Sequence, residues 1–455
     1  MKSRTSFFDA ATFKKDITRF IPLWALYTVF LLLAMLSAGS GTSYYSHPAR
    51  TLNSSLGVLT LANLLYGALS AQLLFGELFN SRLCNGLHAM PVTREARFGS
   101  HVCAGLLFAW IPNLLTAVLM MPFLEHLWYT ALLWFAVYSL QYLFFFGVAV
   151  FSVMCAGSRF AMVLVYGILH FLSLVVFWFV DTVYRPLMPG VELDGSILER
   201  LCPTLQMMTE YDYFKITVLR SHSTGTYYGT IFEGFGDSWP YLFVIAALGI
   251  ALLIGALLMY HRRKLESAGD FIAVKWIAPI FLVLYTLCAG AFLAIFSSIF
   301  GNAPYAFFLA LGMIIGYFTG KMLLERTVRV FRKKNFLLAA VFTAVMLLSL
   351  VPVKMDWFGI VNYVPEANDV EYVEVRGSQI KRQELTEQEH IRLVCRIHNF
   401  AIDGLEHERE IFCSGAHYYF HIVYHLKNGR TVTRYYNICT YSPAGALIHE
   451  LPGKK

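Results

Sequence analysis

Three histidines, His417, His421 and His425, recur at every fourth position of a segment that alternates apolar and polar residues, an arrangement that raises metal chemistry first. On a flat strand, neighbours in such a set stand ~13 Å apart at about 3.3 Å per residue, whereas the donors of one Zn²⁺ each lie about 2 Å from it. A solvated polar face accounts for them better, although twist or a partner strand could bring one pair together. His407-Glu408 lacks the second histidine of a helical zinc-protease motif, and Gly41-Thr42-Ser43 lacks the closing glycine of a nucleophile elbow. Gly316-Tyr317-Phe318-Thr319-Gly320-Lys321 has three residues between its glycines where a Walker loop has four, and it lies in an apolar stretch. We therefore expect no catalytic residue, no metal ligand set and no ATP site on this chain.

The same glycines fit better with Gly312. Gly312, Gly316 and Gly320 make successive small-xxx-small steps that let another helix backbone approach closely, either as a moving or dimerising face or as static packing in one bundle. Polar residues inside apolar runs are where a transport pathway is sought. Here they are Asn63, Gln72, Asn113 and Gln141, with His170 beside them, and the competing role is interhelical hydrogen bonding worth about 0.6 kcal/mol each. Glu77, shortly before Arg82, reads as half of an ion pair at a membrane end.

The elements that must position these residues are membrane-length helices. The chain is 57% hydrophobic and 14% charged, well below the quarter or so of charged residues usual in soluble domains. Crossing a hydrocarbon core takes about 20 mostly apolar residues, because every backbone amide must be paired within the segment. Nine stretches qualify: Ile21 to Ala38, Leu56 to Phe79, His101 to Phe123, Leu127 to Val153, Phe160 to Val180, Trp239 to Tyr260, Lys275 to Ile299, Ala303 to Leu324 and Phe336 to Val353. The first is not expected to be a cleaved signal, since Ser37-Ala38-Gly39 lacks an A-x-A site.

Lys and Arg collect in short cytoplasmic loops. They cluster at Lys14, Lys15 and Arg19, at Arg82, Arg94 and Arg97, at Arg159, at Arg262 to Lys264, and from Lys321 to Lys334, while the turns around Glu125 and Asn302 carry none. This predicts a cytoplasmic N-terminus and, after an odd number of spans, an extracytoplasmic tail. The net charge of +7 then reflects topology, and no nucleic acid is implied. Cys202, Cys395, Cys413 and Cys439 should face outward, where a disulfide is permitted.

Before the first span, Phe13, Ile17 and Phe20 share one helical stripe apart from the basic residues, the pattern of an interfacial helix or a plain juxtamembrane anchor. Residues 181–238 form a long outer loop with Gly and Pro punctuation. The tail reads as a small α+β domain: a strand from Val370 to Arg376, and a helix opened by the Thr386-Glu387-Gln388-Glu389 capping box and closed at Asp403-Gly404. Strands from Ala416 to Leu426 and Thr431 to Ile438 then flank an Asn428-Gly429 hairpin turn. The helix should present Ile391, Val394, His398 and Ile402 to Tyr418, Phe420, Ile422, Tyr424 and Leu426.

The stretch Leu87-His88-Ala89-Met90-Pro91-Val92-Thr93-Arg94-Glu95-Ala96-Arg97-Phe98 resembles the short cytoplasmic loop of bacterial ABC-2 type permeases, with Met90 where leucine is usual. The resemblance covers roughly the first 260 residues well, the next 90 weakly and the tail by layout only. It implies a helical membrane protein divided into an interfacial helix (1–20), a six-helix permease core (21–260), three added spans (261–353) and an extracytoplasmic α+β domain (354–455). It further implies a permease in a bacterial cell membrane that exports or extracts a peptide, antibiotic or lipid-like compound. Such a permease pairs with an identical or homologous second permease and binds a separate ATPase, which holds the ATP and Mg²⁺. Leu87, His88, Met90, Pro91, Val92, Thr93, Arg94, Glu95 and Arg97 would form the ATPase-coupling loop, Pro91 stiffening it, Thr93 capping a helix and the charged residues meeting the partner. Two other classes compete: a sensor or resistance module that binds an envelope compound through the outer loop and tail, and an intramembrane enzyme, for which paired carboxylates or His/Asp/Glu clusters are missing.

Overall fold

A computed structural model describes residues 7–40, 48–88, 90–192, 200–209, 212–220, 227–263, 269–273, 277–295, 297, 305–377, 381–407, 417–440 and 442–451. Among them, eight helices are long and apolar enough to cross a membrane, or nine if the bent pair at the start counts as one span. This is the pattern of a multi-pass membrane protein, since each helix pairs its own amides. Two compact units divide the chain: Met1–Leu174 with Leu198–Leu282 and Leu323–Thr327, and Val175–Ile197 with Val283–Met322 and Val328–Lys455.

The first unit opens with α1 (Ala10–Arg19) and, after a 55° bend, α2 (Ile21–Ser40). Asp9 caps α1, its carboxylate accepting from the Thr12 amide at 2.9 Å. Phe13, Ile17 and Phe20 are half-buried, and Lys14, Lys15 and Arg19 are exposed. Then come α3 (Pro48–Leu74), α4 (Ser81–His88), α5 (Arg94–Met120), α6 (Tyr129–Cys155) and α7 (Arg159–Tyr184). Apolarity alone carries the second span to Phe79, but α3 ends at Leu74 and Gly76–Phe79 is a single tight turn. The long segment after α7 supplies α8 (Pro203–Thr209) and an antiparallel hairpin of β1 (Phe214–Arg220) with β2 (Tyr227–Phe235), followed by α9 (Trp239–Arg262).

Helix α6 is the central pillar, with 89% of its apolar window buried, and α3, α5 and α9 pack around it. Its inward bulk is aromatic: Trp134, Tyr138, Tyr142, Phe145 and Phe146 are fully buried. Glycines make the α6–α9 crossing close. A Cβ on Gly147 would stand 2.4 Å from the Gly249 carbonyl oxygen, and one on Gly249 would stand 2.7 Å from the Phe144 Cα. Gly249→Val is therefore expected to cost about 1–3 kcal/mol or more through overpacking. Gly167→Ala, where a Cβ meets nothing within 4 Å, should be tolerated. Unfolding titrations in mixed micelles measure both.

The second unit takes the later part of α7, most of α10 (Ile277–Ile295), most of α11 (Tyr305–Glu325), α12 (Lys333–Lys354) and the tail. Val183, Ala291, Ala294, Leu309, Met313, Met346 and Leu350 form its helical core. In the tail, β3 (Val370–Gly377), β4 (Gln383–Leu385), β5 (His417–Leu426) and β6 (Thr431–Cys439) make an antiparallel sheet in the order β4-β3-β5-β6. Gly429 takes φ 79° in the hairpin turn, where a side chain would be strained. Helix α13 (Gln388–His407) lays Ile391, Val394 and His398 against Phe420, Ile422, Tyr424 and Leu426, and α14 (Pro443–Ile448) closes the same core. The expected stop at Asp403-Gly404 is not where α13 ends: one helical glycine costs only about 1 kcal/mol and terminates a helix only with a left-handed cap, which Gly404 does not supply.

Candidate functional site

The last carbonyls of a helix have no partner within it, and the end of α9 is closed by an arginine from the start of α5. Arg94 Nη1 donates to the carbonyl oxygens of Tyr260 at 3.2 Å, His261 at 3.2 Å and Arg263 at 3.4 Å. Thr93 caps α5, its Oγ1 accepting from the Ala96 amide at 3.2 Å. Glu95 Oε1 lies 3.4 Å from His261 Nδ1, and Arg97 is buried. Arg263 ties in two further ends, donating to Val153 O at 2.7 Å and Leu78 O at 3.0 Å. The charged residues of the predicted loop thus have partners within this chain. Met90, 53% exposed, and Pro91 form the open part of the loop, with Val92 half-buried. Leu87 and His88 belong to α4, and their side chains, like all of Ala89, lie outside the described residues.

Sequence reasoning missed a buried ionic cluster beside this loop. His101 Nδ1 lies 2.6 Å from Asp16 Oδ2 and His101 Nε2 lies 3.2 Å from Glu77 Oε1, with side-chain exposures of 5, 8 and 15%. Ionised carboxylates only accept, so an imidazolium donating from both nitrogens satisfies both acids at once. The Phe75 ring meets His101 edge-on, and Ser100 Oγ accepts from the Asp9 amide at 2.8 Å. Glu77 therefore pairs with His101 and not, as its spacing suggested, with Arg82, which is exposed on α4.

The predicted pathway residues are dispersed. Asn63 is buried with both amide heavy atoms bonded, accepting from Tyr27 Oη at 3.0 Å and donating to Tyr138 O at 3.0 Å, so it links α2, α3 and α6. Gln72 donates to Arg159 O at 3.1 Å, at the start of α7. Asn113 donates to Ser139 Oγ at 3.2 Å and Gln141 to Tyr213 Oη at 3.3 Å, but their buried Oδ1 and Oε1 have no hydrogen-bond partner among the described residues. His170 Nδ1 lies 3.2 Å from Thr204 Oγ1. The first unit also holds a polar cleft of about 530 Å³ lined by Asn53, Gln206, Thr209, Asp212, Asp237, Ser238 and Tyr241, a volume suited to a small ligand or part of a larger one. Only the length of the outer loop hinted at it.

In the second unit, Gly312 and Gly316 face α10: a Cβ on them would stand 2.7 Å from Ala289 O and 2.5 Å from Ala289 Cβ. Gly320 continues the buried face. The tail histidines have separate partners. His421 Nε2 lies 2.7 Å from Glu192 Oε2, and His425 stacks on Tyr372 with centroids 4.1 Å apart, while the His417 side chain lies outside the described residues. Among the described residues, no group of three or more His, Cys, Asp or Glu is placed to hold a metal. Cys439 is disulfide-bonded, Cys202 and Cys395 are free and buried, and Cys413 lies outside the described residues. Burial raises the Cys395 pKa, which suits an inert thiol.

The chain matches no family model, no curated protein and no solved structure. Function has to be argued from the sites themselves.

Proposed function

We propose that this chain is the permease subunit of an ATP-driven ABC-type exporter in a bacterial cell membrane. A separate ATPase carries the ATP and Mg²⁺ chemistry, a second permease, identical or homologous, completes the membrane part, and this chain is not itself the enzyme. The cargo is a peptide, antibiotic or lipid-like compound, and the polar cleft around Asp212 and Asp237 suits a hydrogen-bonding part of it.

The observation that carries this reading is the mounting of the loop. Met90 and Pro91 are open to a partner, while Arg94 and Arg263 knit the ends of α5, α6 and α9 into one block around it. A push on the loop then displaces several helix ends together, α6 among them, which is how a small shift at an edge becomes a rigid-body change in a packed bundle. The basic clusters support a cytoplasmic loop. The Cys439 disulfide supports an oxidising, extracytoplasmic setting for the tail.

The test is co-purification from the native membrane in detergent. A Walker-containing ATPase should accompany the wild-type chain and be lost from a Met90→Asp, Pro91→Gly variant that still unfolds at the wild-type midpoint. Arg94→Ala is a poor probe, because it also strips the cap from α9. Absence of an ATPase from both samples would favour the sensor reading instead.

A further inference from the structure

The segment 355–363 joins the last membrane-length helix to the tail, and it displays large side chains that no described residue covers. Met355, Trp357, Phe358, Ile360 and Tyr363 are exposed, from 43% for Ile360 to 69% for Phe358. The backbone that carries them is nonetheless fixed at both ends. Asp356, in the left-handed region at φ 47°, turns its carboxylate onto three amides, accepting from Ile360 at 2.6 Å, Val361 at 3.0 Å and Asn362 at 3.0 Å. Toward the helix, the Trp357 amide donates to Pro352 O at 3.0 Å and the Met355 amide to Val351 O at 2.9 Å. Toward the sheet, the buried Arg434 of β6 donates to Ile360 O at 2.8 Å and Tyr363 O at 3.3 Å.

We infer that this segment is a membrane-interface anchor, with Trp357, Phe358 and Tyr363 seated in the headgroup layer of the bilayer that α12 crosses. Distance decides the occupant. At up to 3.6 Å per residue, Trp357 cannot lie more than about 11 Å from Lys354, and its bond to Pro352 draws it closer to the helix end. The interfacial layer is roughly 5–8 Å deep on each side of the hydrocarbon core, less than that outer limit, so it is the Trp357–Pro352 bond to the helix's last turn that holds the ring at that boundary. Chemistry agrees, because Trp and Tyr join an apolar ring to a polar handle and favour that layer, and Lys354 can meet a lipid phosphate. The Arg434 bonds carry the anchor's position into β6. None of this depends on the transporter reading; it requires only that α12 spans the membrane.

The test uses the full chain in nanodiscs of equal parts phosphatidylcholine and phosphatidylglycerol, with lipids brominated either high or low on the acyl chain. The Trp357 signal is the emission difference between wild type and Trp357→Phe, an exposed and conservative exchange. The anchor predicts a component that high bromines quench more than low ones and that aqueous acrylamide quenches weakly. Strong acrylamide quenching without bromine quenching would overturn it, because the ring would then be in water. Protection from both quenchers would also overturn it, because protein, such as a second copy, would then cover the ring.

Discussion

Replacing His101 with leucine is expected to destabilise the first unit by about 3–5 kcal/mol, the cost of leaving buried charges without their counter-charge. Asp16 reaches His101 from α1 and Glu77 from the turn after α3, so the His101 ring is the tie that joins both to α5. Without it, two carboxylates face an apolar pocket that includes the Phe75 ring, and each must either stay ionised out of water or take up a proton. Asp16→Asn with Glu77→Gln in the same background removes the stranded charges and should recover most of the loss. If His101 were mere filler, a leucine of similar bulk would cost less than about 1.5 kcal/mol. Denaturation midpoints of the single and triple variants in mixed micelles separate these accounts, and a neutral single variant would remove the ion cluster from the explanation of how α1 is held.

What could be read without coordinates follows from the range of the interactions involved. The membrane-length helices were legible because each satisfies its amides locally and needs only a run of apolar residues. The second tail hairpin was legible because Asn428-Gly429 favours the backbone sign the turn requires. The stripe of Ile391, Val394 and His398 on α13 was legible for the same local reason, helical period. Partners brought from far along the chain were not. Arg94 finds its carbonyls more than 160 positions away, and Asp16 meets His101 at a separation of 85. A charge in a basic loop looks the same in sequence whether it awaits a partner protein or closes a helix of its own chain. That ambiguity explains why the predicted coupling residues divide into a set engaged within the chain, half-buried Arg94 and Glu95 with buried Arg97, and an open pair, Met90 and Pro91. The polar residues of the apolar helices carry a similar lesson: Asn63 has both of its amide atoms bonded, whereas Asn113 and Gln141 each leave one oxygen without a partner among the described residues, a difference that spacing cannot express.

The tail should lose stability on mild acidification, and His398 sets the direction. It is fully buried, its Nδ1 3.2 Å from Tyr424 Oη and its Nε2 2.9 Å from Tyr436 Oη. Burial, reinforced by the nearby Arg434 charge, pushes its pKa down to about 3. In the unfolded chain an imidazole titrates near 6.5, so below that pH the unfolded state binds more protons than the folded one. The contribution of neutral His398 is therefore complete above about pH 6.5 and is lost as pH falls toward the folded value, at about 1.4 kcal/mol per unit. Two units of acidification cost about 2.7 kcal/mol, a large share of the stability of a small domain. Hydrogen exchange of β5, β6 and α13 amides in the full-length protein, corrected for intrinsic exchange, should show protection falling with that slope. His398→Leu lowers protection at neutral pH, because two tyrosine hydroxyls each lose one of their partners, but it should flatten the dependence between about pH 6.5 and 4.5. A variant profile as steep as the wild type would shift the acid response to other groups, and a flat wild-type profile would mean that His398 is not held neutral in the folded core.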